Sequence, residues 1–270
     1  EQAMDALAEA AGLEPIVLRI PNKPTVHPKT GKPFSSRSLL ACYREGARRF
    51  GWDRRPARPA TLRDGRWLVG YGMAASIRNN AVAPSQALAK LADDGRLTVQ
   101  TAMTDIGTGA YTILAQIAAE TMGLPIDRVT VVIGDTDLPP SFGSGGSRGA
   151  SSSGSGVYDA CMTLRGRMAA AAGLPDASAL AIKDGEVSIG PERMTLDNFL
   201  RRFAPQGLQA EGLFTPGPGM QDYAQASHGA VFAEMGVDID SGEPRLRRML
   251  GVFAAGRILN PKTARSQVIG

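Results

Sequence analysis

Two Gly-rich corners, each followed by a helical pattern, lie within one stretch that runs from Leu97 to Leu164. The first corner, residues 104–112, reads Thr-Asp-Ile-Gly-Thr-Gly-Ala-Tyr-Thr, and the second, residues 141–156, is a Gly/Ser run that contains a single Arg. Backbone amides at a helix start bind anions, and glycine lets a ligand approach the backbone. The stretch therefore predicts that the chain grips the phosphate-bearing part of a large cofactor.

Side chains at both corners supply further hydrogen-bond donors that could bind a phosphate. Thr108 adds a hydroxyl, the Gly/Ser run adds neutral donors, and Arg148 adds a fixed positive charge that suits a phosphate. A flexible linker is the alternative for a Gly/Ser run, but the Asp-Thr-Asp-Leu-Pro-Pro-Ser-Phe sequence before it and the apolar helix after it disfavour a linker. The candidate cofactor-binding residues here are Gly107, Thr108, Gly109, Gly145, Gly146, Ser147, Arg148, Ser151, Ser152 and Ser153.

The familiar phosphate loops do not account for these corners. No Lys follows the glycines as in a Walker A loop, and Arg148 stands where the dinucleotide fingerprint Gly-x-Gly-x-x-Gly requires its last Gly. Asp105, Asp135 and Asp137 have the residue type of magnesium ligands, but aspartates at such places more often cap turns and helices. We therefore predict no metal-ligating residue in this chain.

Residues 145–149 also fit a second chemistry, the Gly-x-Ser-x-Gly elbow of serine hydrolases. Ser147 would be the nucleophile and His228, downstream, the base. An elbow needs a strand that runs directly into its Ser, whereas a polar, Pro-rich loop separates the strand pattern of residues 129–133 from Ser147. A serine hydrolase is therefore the weaker alternative.

The remaining patterns predict α+β architecture with mixed sheets and flanking helices. Along the chain, periodicity and turn residues predict a helix over 39–49, a buried strand over 66–77 with 82–90 as its partner, a turn at 93–95, a helix over 112–122, a strand over 129–133, a helix from Val157, a hairpin at Asp184-Gly185, a helix over 195–203 and an antiparallel hairpin over 231–253.

These elements group into three parts by sequence range. Residues 1–64 form an N-terminal helical and loop part, residues 65–173 the cofactor cradle, and residues 174–270 a C-terminal α+β part. Because Glu1 lies inside a helical pattern and no polar tail precedes Gly270, we expect residues 1–270 to be an interior portion of a longer polypeptide.

Composition narrows the class of partner. The net charge is +4, but the basic run over residues 44–63 is broken by Pro and Gly and forms no helical stripe, so we expect no nucleic acid. Two cysteines without metal spacing predict neither a disulfide framework nor a zinc or iron–sulfur site. No apolar run approaches the roughly 20 residues of a membrane span, so we expect no membrane partner.

Several motifs, in their order along the chain, resemble one known family. They are Thr-Asp-Ile-Gly-x-Gly-x-x-Thr with Gln116, Ala119 and Glu120 after it, Gly134-Asp135-Thr136 with the Gly/Ser run, and Gly256-Arg257-Ile258-Leu259-Asn260-Pro261 followed by Gln267. Over nearly its whole length the chain is similar to the molybdenum-binding large subunits of the xanthine oxidase and aldehyde oxidoreductase family, the molybdenum hydroxylases. The likeness is strongest to bacterial three-subunit aldehyde-oxidising enzymes.

The resemblance implies a cofactor, a reaction and partners. The cofactor would be molybdenum with molybdopterin cytosine dinucleotide, and the reaction an oxidative hydroxylation of aldehydes or N-heterocycles. Iron–sulfur clusters and FAD would be on partner subunits or domains, and a homo-oligomer stays open. The compartment would be the cytoplasm, or the periplasm by way of a partner subunit's export signal.

The resemblance also implies roles for individual residues. Thr108 stands where many relatives carry a Gln near the molybdenum, and Gly146 and Ser147 match the loop beside the metal and the pterin. Ser151, Ser152 and Ser153 match donors to the pyrophosphate or pterin, and Gln267 matches a Gln that approaches the cofactor from the opposite side. The family's catalytic glutamate falls outside these residues. We therefore assign no catalytic residue and expect this portion to be inactive alone; an inactive binding fragment is a second alternative function.

Overall fold

The computed structural model describes residues 1–269, and their contacts divide them into two compact units. The first unit comprises residues 1–80 and 218–257, and the second comprises residues 81–217 and those from Ile258 onward. The helices are α1 (Gln2–Ala10), α2 (Pro15–Arg19), α3 (Leu39–Phe50), α4 (Ala110–Met122), α5 (Gly149–Ala171), α6 (Leu196–Phe203) and α7 (Pro261–Ile269). The strands are β1 (Leu62–Asp64), β2 (Trp67–Asn79), β3 (Ser85–Leu91), β4 (Leu97–Gln100), β5 (Val129–Val132), β6 (Leu180–Lys183), β7 (Glu186–Ile189), β8 (Glu192–Thr195), β9 (Leu208–Phe214), β10 (Ala226–Asp238) and β11 (Pro244–Ala254).

The first unit is built on an antiparallel sheet in the order β1-β2-β10-β11. β2 and β10 pair along their whole length, from Asn79 opposite Ala226 to Trp67 opposite Asp238. The β10–β11 hairpin confirms the prediction over 231–253. The prediction that residues 82–90 pair with β2 is wrong, because the side-chain pattern of a strand does not say which distant strand it will pair with.

Helix α3 covers one face of this sheet. Gly46 permits a close approach, since a Cβ there would lie 2.1 Å from Cε2 of Phe232. Phe50, Trp52 and Phe232 form an aromatic cluster with ring centroids 5.4 to 6.5 Å apart. These rings are buried and belong to the apolar core between α3 and the sheet.

The second unit contains a sheet in the order β5-β4-β3-β9. The turn predicted at 93–95 is confirmed by the β3–β4 hairpin. β4 and β5 run parallel, and α4 connects them. The first Gly-rich corner therefore lies at the carboxyl end of a parallel strand, before the helix that follows it, which is where α/β sheets bind ligands.

Helix α5 contradicts one sequence-based expectation. Residues 149–156 of the Gly/Ser run are helical, whereas the sequence predicts a loop there and a helix only from Val157. Close packing explains the difference: a Cβ at Gly212 of β9 would lie 2.2 Å from the Ala160 amide nitrogen, and one at Gly156 would lie 2.9 Å from the Ser85 carbonyl oxygen. The packing of small residues against the sheet outweighs the poor helix propensity of Gly and Ser.

A three-stranded antiparallel sheet, β6-β7-β8, and helix α6 share the core of the second unit. The predicted hairpin at Asp184-Gly185 is confirmed, as is the predicted helix, whose first turn is capped by the hydroxyl of Thr195 accepting from the Asn198 amide at 3.3 Å. Mixed sheets with flanking helices confirm the α+β prediction; the three-part division by sequence range stays a prediction. Within residues 1–269, every helix is too short or too polar to cross a bilayer.

Candidate functional site

The first corner, residues 104–109, folds around its own carboxylate. Gly107 and Gly109 have φ of 93° and 80°, a conformation that favours glycine. Oδ1 of Asp105 accepts from the Gly107 amide at 2.9 Å and from the Thr108 amide at 3.0 Å. This carboxylate thus occupies the inside of the corner just before α4, where an anionic ligand would otherwise bind, and it caps a turn, which is one of the two roles that the sequence predicts for such an aspartate.

The ionisation of Asp105 reports the same arrangement. Burial opposes the charged form, but hydrogen bonds from the backbone amides of the corner, Gly107 foremost, outweigh burial and lower the pKa of Asp105. An anion already satisfies these amides. The first corner can therefore contact a ligand through its shape and its bare glycine backbone, but it offers little charge to a phosphate.

In the second corner, residues 141–148 form a loop before α5 and leave the start of that helix free for a ligand. Gly143, Gly146 and Ser147 all have positive φ, of 82°, 58° and 59°. Turns of this kind direct successive amides to one side and form anion-binding concavities. Nothing lies within 4 Å of a Cβ built on Gly143 or Gly145, so there is open space beside the backbone. Because α5 begins at Gly149, its first-turn amides have no acceptor in the helix itself.

Arg148 immediately precedes α5 and is half-buried. Its guanidinium lies over the ring of Phe142, with Cζ 4.9 Å from the ring centroid, and its amide donates to the Gly145 carbonyl at 3.2 Å. The stacking contact orients the side chain on the surface of the corner. A fixed guanidinium next to a helix N-terminus is a strong combination for binding phosphate.

The three consecutive serines of α5, Ser151, Ser152 and Ser153, differ in burial and in their hydrogen-bond partners. Ser152 is fully buried and its Oγ accepts from the Ala83 amide at 3.1 Å. Ser153 is also fully buried, with its Oγ 2.6 Å from Oγ of Ser141. Ser151 is half-buried and donates to the Arg148 carbonyl at 3.1 Å. The structure therefore gives Ser152 and Ser153 contacts that fix the corner from inside.

The two corners meet within the second unit. The Ser144 hydroxyl donates to the carbonyl of Thr104, which joins the second corner to the first. Helix α7 also lies against the first corner, because a Cβ on Gly109 would come within 2.6 Å of Cγ2 of Thr263. Gln267 is exposed and follows Thr263 by one helical turn, so it is on the same face of α7. Residues 104–109, residues 141–151 and this face of α7 form one continuous region, which we call the corner site.

The hydrolase alternative lacks its geometry. Ser147 has a positive φ, but β5 ends at Val132 and no strand leads into the Ser. His228 is 97% buried in β10 against Phe34, with ring centroids 5.1 Å apart. Burial, and then the charge of Arg37, lower the pKa of His228. The strand–Ser–helix turn that exposes a nucleophile is therefore missing from the described residues.

Neither cysteine is suited to act as a ligand or nucleophile. Burial raises the pKa of Cys161 to about 12, and burial likewise raises the pKa of Cys42. A thiolate is the reactive and metal-binding form of cysteine. Across residues 1–269, no three side chains of His, Cys, Asp or Glu gather where they could hold a metal ion.

Comparison with known proteins identifies the family of this chain. A family model described as the molybdopterin cofactor-binding domain matches residues 45–270. The chain belongs to this family. The domain occurs in molybdenum hydroxylases of the aldehyde oxidoreductase and xanthine dehydrogenase type, which confirms the resemblance seen in the sequence.

Two relatives from Escherichia coli K12 match the whole chain. The aldehyde oxidoreductase molybdenum-binding subunit PaoC is 50% identical over 272 residues, and the putative xanthine dehydrogenase molybdenum-binding subunit XdhA is 28% identical over 293 residues. The chain covers 36% and 38% of their lengths. The molybdopterin-binding chain thus spans little more than a third of the curated relatives it matches.

Solved structures show the same fold at low sequence identity. The Cu,Mo-CO dehydrogenase matches 99% of this chain and 38% of its own, with a TM-score of 0.84 and 20% identity. The aldehyde oxidoreductase of Desulfovibrio gigas matches 98% of this chain and 29% of its own, with a TM-score of 0.70 and 23% identity. The fold is therefore that of molybdenum-containing oxidoreductases.

The residues of the corner site fit a large phosphate-bearing pterin. A guanidinium and a helix start supply positive charge at one place, bare glycine backbone supplies flat surface, and open space lies beside Gly107 and Gly145. The sequence names Ser152 and Ser153 as candidate donors to the cofactor but does not show that they are buried, nor that α7 contacts Gly109. The Asn260-Pro261 pair signals the start of α7, because Asn caps helices and Pro favours their first position, but the sequence does not show what that helix packs against.

Proposed function

We propose that residues 1–270 hold molybdopterin cytosine dinucleotide for a larger subunit that oxidises aldehydes. The observation that carries the proposal is the second corner, where Arg148 and the N-terminus of α5 come together beside open space. The identity of 50% over the whole chain with an aldehyde oxidoreductase subunit supports the aldehyde class. N-heterocycles are the second substrate class.

Different residues of the corner site would contact different parts of the cofactor. Arg148 and the first-turn amides of α5 would hold the pyrophosphate, and Gly107, Gly109, Gly145 and Gly146 would let the cofactor lie against the backbone. Thr108, Ser147, Ser151 and Gln267 would contact its periphery, while Ser152 and Ser153 would hold the corner in place from within. The bound cofactor supplies the redox chemistry; the chain orients it and limits its exposure to water.

Electrons have to leave an oxidation of this kind through further redox groups. We therefore propose that iron–sulfur and FAD subunits accompany the parent subunit. Two of the relatives are subunits by name, an aldehyde oxidoreductase molybdenum-binding subunit and subunit gamma of a dehydrogenase complex, which is consistent with assembly into a complex.

The first test measures what the parent subunit carries. The parent subunit, produced with its neighbouring subunits, is assayed for molybdenum by plasma mass spectrometry and for the nucleotide released by acid. We expect molybdenum and CMP near one per subunit. Release of GMP or AMP would replace the cytosine form with another dinucleotide, and a folded subunit without molybdenum or nucleotide would refute the proposal.

A matched pair of variants localises the binding to the second corner. Arg148→Ala should lower the retained CMP by about tenfold or more, because a charge-assisted hydrogen bond contributes about 1.5–3 kcal/mol. Arg193→Ala removes an exposed arginine of β8, in the small sheet of the same unit, and should retain CMP at the wild-type level. Equal retention by both variants would exclude Arg148 as a phosphate ligand.

We further propose that residues 1–270 do not turn over aldehyde by themselves, since they span about a third of the homologous subunits. The purified chain is mixed with benzaldehyde and an artificial electron acceptor, and circular dichroism verifies that it is folded. Formation of benzoate by the folded chain would disprove this part of the proposal.

A further inference from the structure

The sheet of the first unit has one face that is mainly apolar over its central part; Arg78 lies on this face near the end of β2, and Arg63 of β1 pairs with Leu68 at the other end. On three neighbouring strands, every second side chain points away from α3. These residues form what we call the outer face: Leu68, Gly70, Gly72, Ala74 and Ser76 of β2; Val231, Ala233, Met235 and Val237 of β10; and Leu246, Met249, Gly251 and Phe253 of β11.

The outer face is open in the described structure. Met249 is 61% exposed, Leu246 55% and Phe253 41%, and nothing lies within 4 Å of a Cβ built on Gly70 or Gly72. The Phe253 ring lies flat on the sheet, because a Cβ at Gly229 or Gly251 would meet it at 2.5 Å. The outer face thus consists of bare backbone and small side chains on β2, next to larger exposed apolar side chains on β11.

The outer face differs from the face that an antiparallel sheet normally exposes to solvent. An antiparallel sheet with one solvated face alternates apolar and polar residues, so that its outward side chains are polar. Here the outward side chains in the central part of β2, β10 and β11 are small or apolar, and the Gly-spaced pattern of β2 predicts a buried strand. Contiguous apolar patches of this kind mark places where other protein packs. The glycines would allow the covering layer to approach the sheet backbone closely.

We propose that the outer face is covered by polypeptide of the same subunit that lies outside residues 1–270. The homologous aldehyde oxidoreductase subunit places nearly two-thirds of its length outside the match, so it has ample chain to form a second layer. The covering segment is apolar where it contacts the outer face and carries large side chains opposite Gly70 and Gly72. This inference does not depend on which cofactor the subunit holds.

Photo-crosslinking in the assembled enzyme tests the occupant. p-Benzoylphenylalanine replaces Phe253, an aromatic side chain for an aromatic one, in a parent subunit produced as a mixture of ¹⁴N- and ¹⁵N-labelled chains. We expect crosslinked peptides that join Phe253 to a segment outside residues 1–270 and carry a single isotope label. Mixed-label crosslinks would assign the face to a second copy, and crosslinks to another subunit would assign it to a partner; either result overturns the proposal.

Cysteine labelling provides an independent measure of coverage. Met249→Cys in the parent subunit should react with a maleimide at least ten times more slowly than Arg48→Cys, whose side chain is 68% exposed on α3, the opposite side of the sheet. Both native cysteines of residues 1–269 are buried, and peptide mapping separates any others. Equal labelling rates would show an open face and overturn the proposal, whatever the crosslinking gives.

Discussion

The two Gly-rich corners look alike in sequence but differ in what they leave for a ligand. At the first corner, Asp105 accepts the Gly107 and Thr108 amides just before α4, so the chain's own negative charge already occupies the inside of that corner. At the second, Arg148 stands beside the start of α5 and no carboxylate accepts the first-turn amides among the described residues. At the first corner a carboxylate of the chain already accepts hydrogen bonds from the backbone amides, whereas the second corner is electropositive.

This difference teaches that a Gly-rich helix start is not by itself an anion site. The neighbouring side chains decide whether its amides are available, because an aspartate two residues before a Gly competes directly with a phosphate. The second corner needs rigid support if its amides and guanidinium are to stay in place. That support comes from α5, which is seated directly on the backbone of β9 and β3.

The largest expected effect comes from lifting α5 off the sheet. Gly212→Ala would place a Cβ 2.2 Å from the Ala160 amide nitrogen, a clash between two backbones that no rotamer change relieves. We expect the free energy of unfolding to fall by about 3 kcal/mol, measured by urea denaturation, and CMP retention by the parent subunit to fall with it.

A second glycine in the same helix is the matched control. Gly166 lies in α5 with nothing within 4 Å of a built Cβ, so Gly166→Ala should stabilise the chain by about 0.5–1 kcal/mol through helix propensity. Opposite signs for the two Gly→Ala substitutions would establish the seating of α5. Equal losses would mean that the chain tolerates no added methyl group in this region.

The next effect concerns the inward serines of the second corner. Ser153→Ala removes the hydroxyl that lies 2.6 Å from Oγ of Ser141, and we expect a loss of about 1 kcal/mol because Ser141 then keeps only its longer hydrogen bond to Oγ of Ser85, at 3.3 Å. Ser155→Ala, which removes only a hydrogen bond to the Ser151 carbonyl one turn back, should change stability by less than about 0.5 kcal/mol. Similar unfolding midpoints for both variants would contradict a supporting role for Ser153.

Local patterns in the sequence were sufficient for the hairpins and for much of the helical content. The turns at 93–95 and Asp184-Gly185 and the β10–β11 hairpin each rest on residues close together in the chain, so their signal is contained in a short window. The pairing of β2 with β10 brings distant residues together, and no short window encodes it.

The site was predicted less completely, for a related reason. Gly and Ser over residues 149–156 have the composition of a loop, and only the presence of β9 and β3 beneath them makes small residues the right choice for a helix. The same tertiary context turns Ser152 and Ser153 inward. A donor-rich sequence predicts that hydrogen bonds will form, but not whether a ligand or the protein accepts them.

A smaller effect is expected from opening the first corner. Asp105→Ala should cost about 1 kcal/mol, since two backbone amides lose their acceptor. It should also create an anion site, so that sulfate raises the unfolding temperature more for Asp105→Ala than for Asp105→Asn, which keeps an acceptor oxygen. An equal response to sulfate would mean that the freed amides are not accessible to an anion.

The same residue gives a pH dependence with a defined sign. Because the pKa of Asp105 is lower in the folded chain than in the unfolded one, its ionised form stabilises the fold. That contribution is complete above about pH 4, near the ordinary pKa of Asp, and is lost as the pH falls through the lowered folded pKa. The difference in unfolding free energy between wild type and Asp105→Asn should therefore shrink on acidification below about pH 4; a difference that stays constant would exclude this titration.

The smallest effect is expected at Thr108. The amide of Thr108 binds Asp105, and its side chain is half-exposed, so the backbone of the first corner does not depend on which side chain it carries. Thr108→Gln should change the free energy of unfolding by less than about 0.5 kcal/mol and leave CMP retention unchanged, because the phosphate-binding charge belongs to the second corner. A marked loss of CMP in Thr108→Gln, with stability intact, would show that the first corner packs tightly against the bound nucleotide. Both corners would then bind the cofactor, and the conclusion that only the electropositive second corner determines nucleotide binding would be wrong.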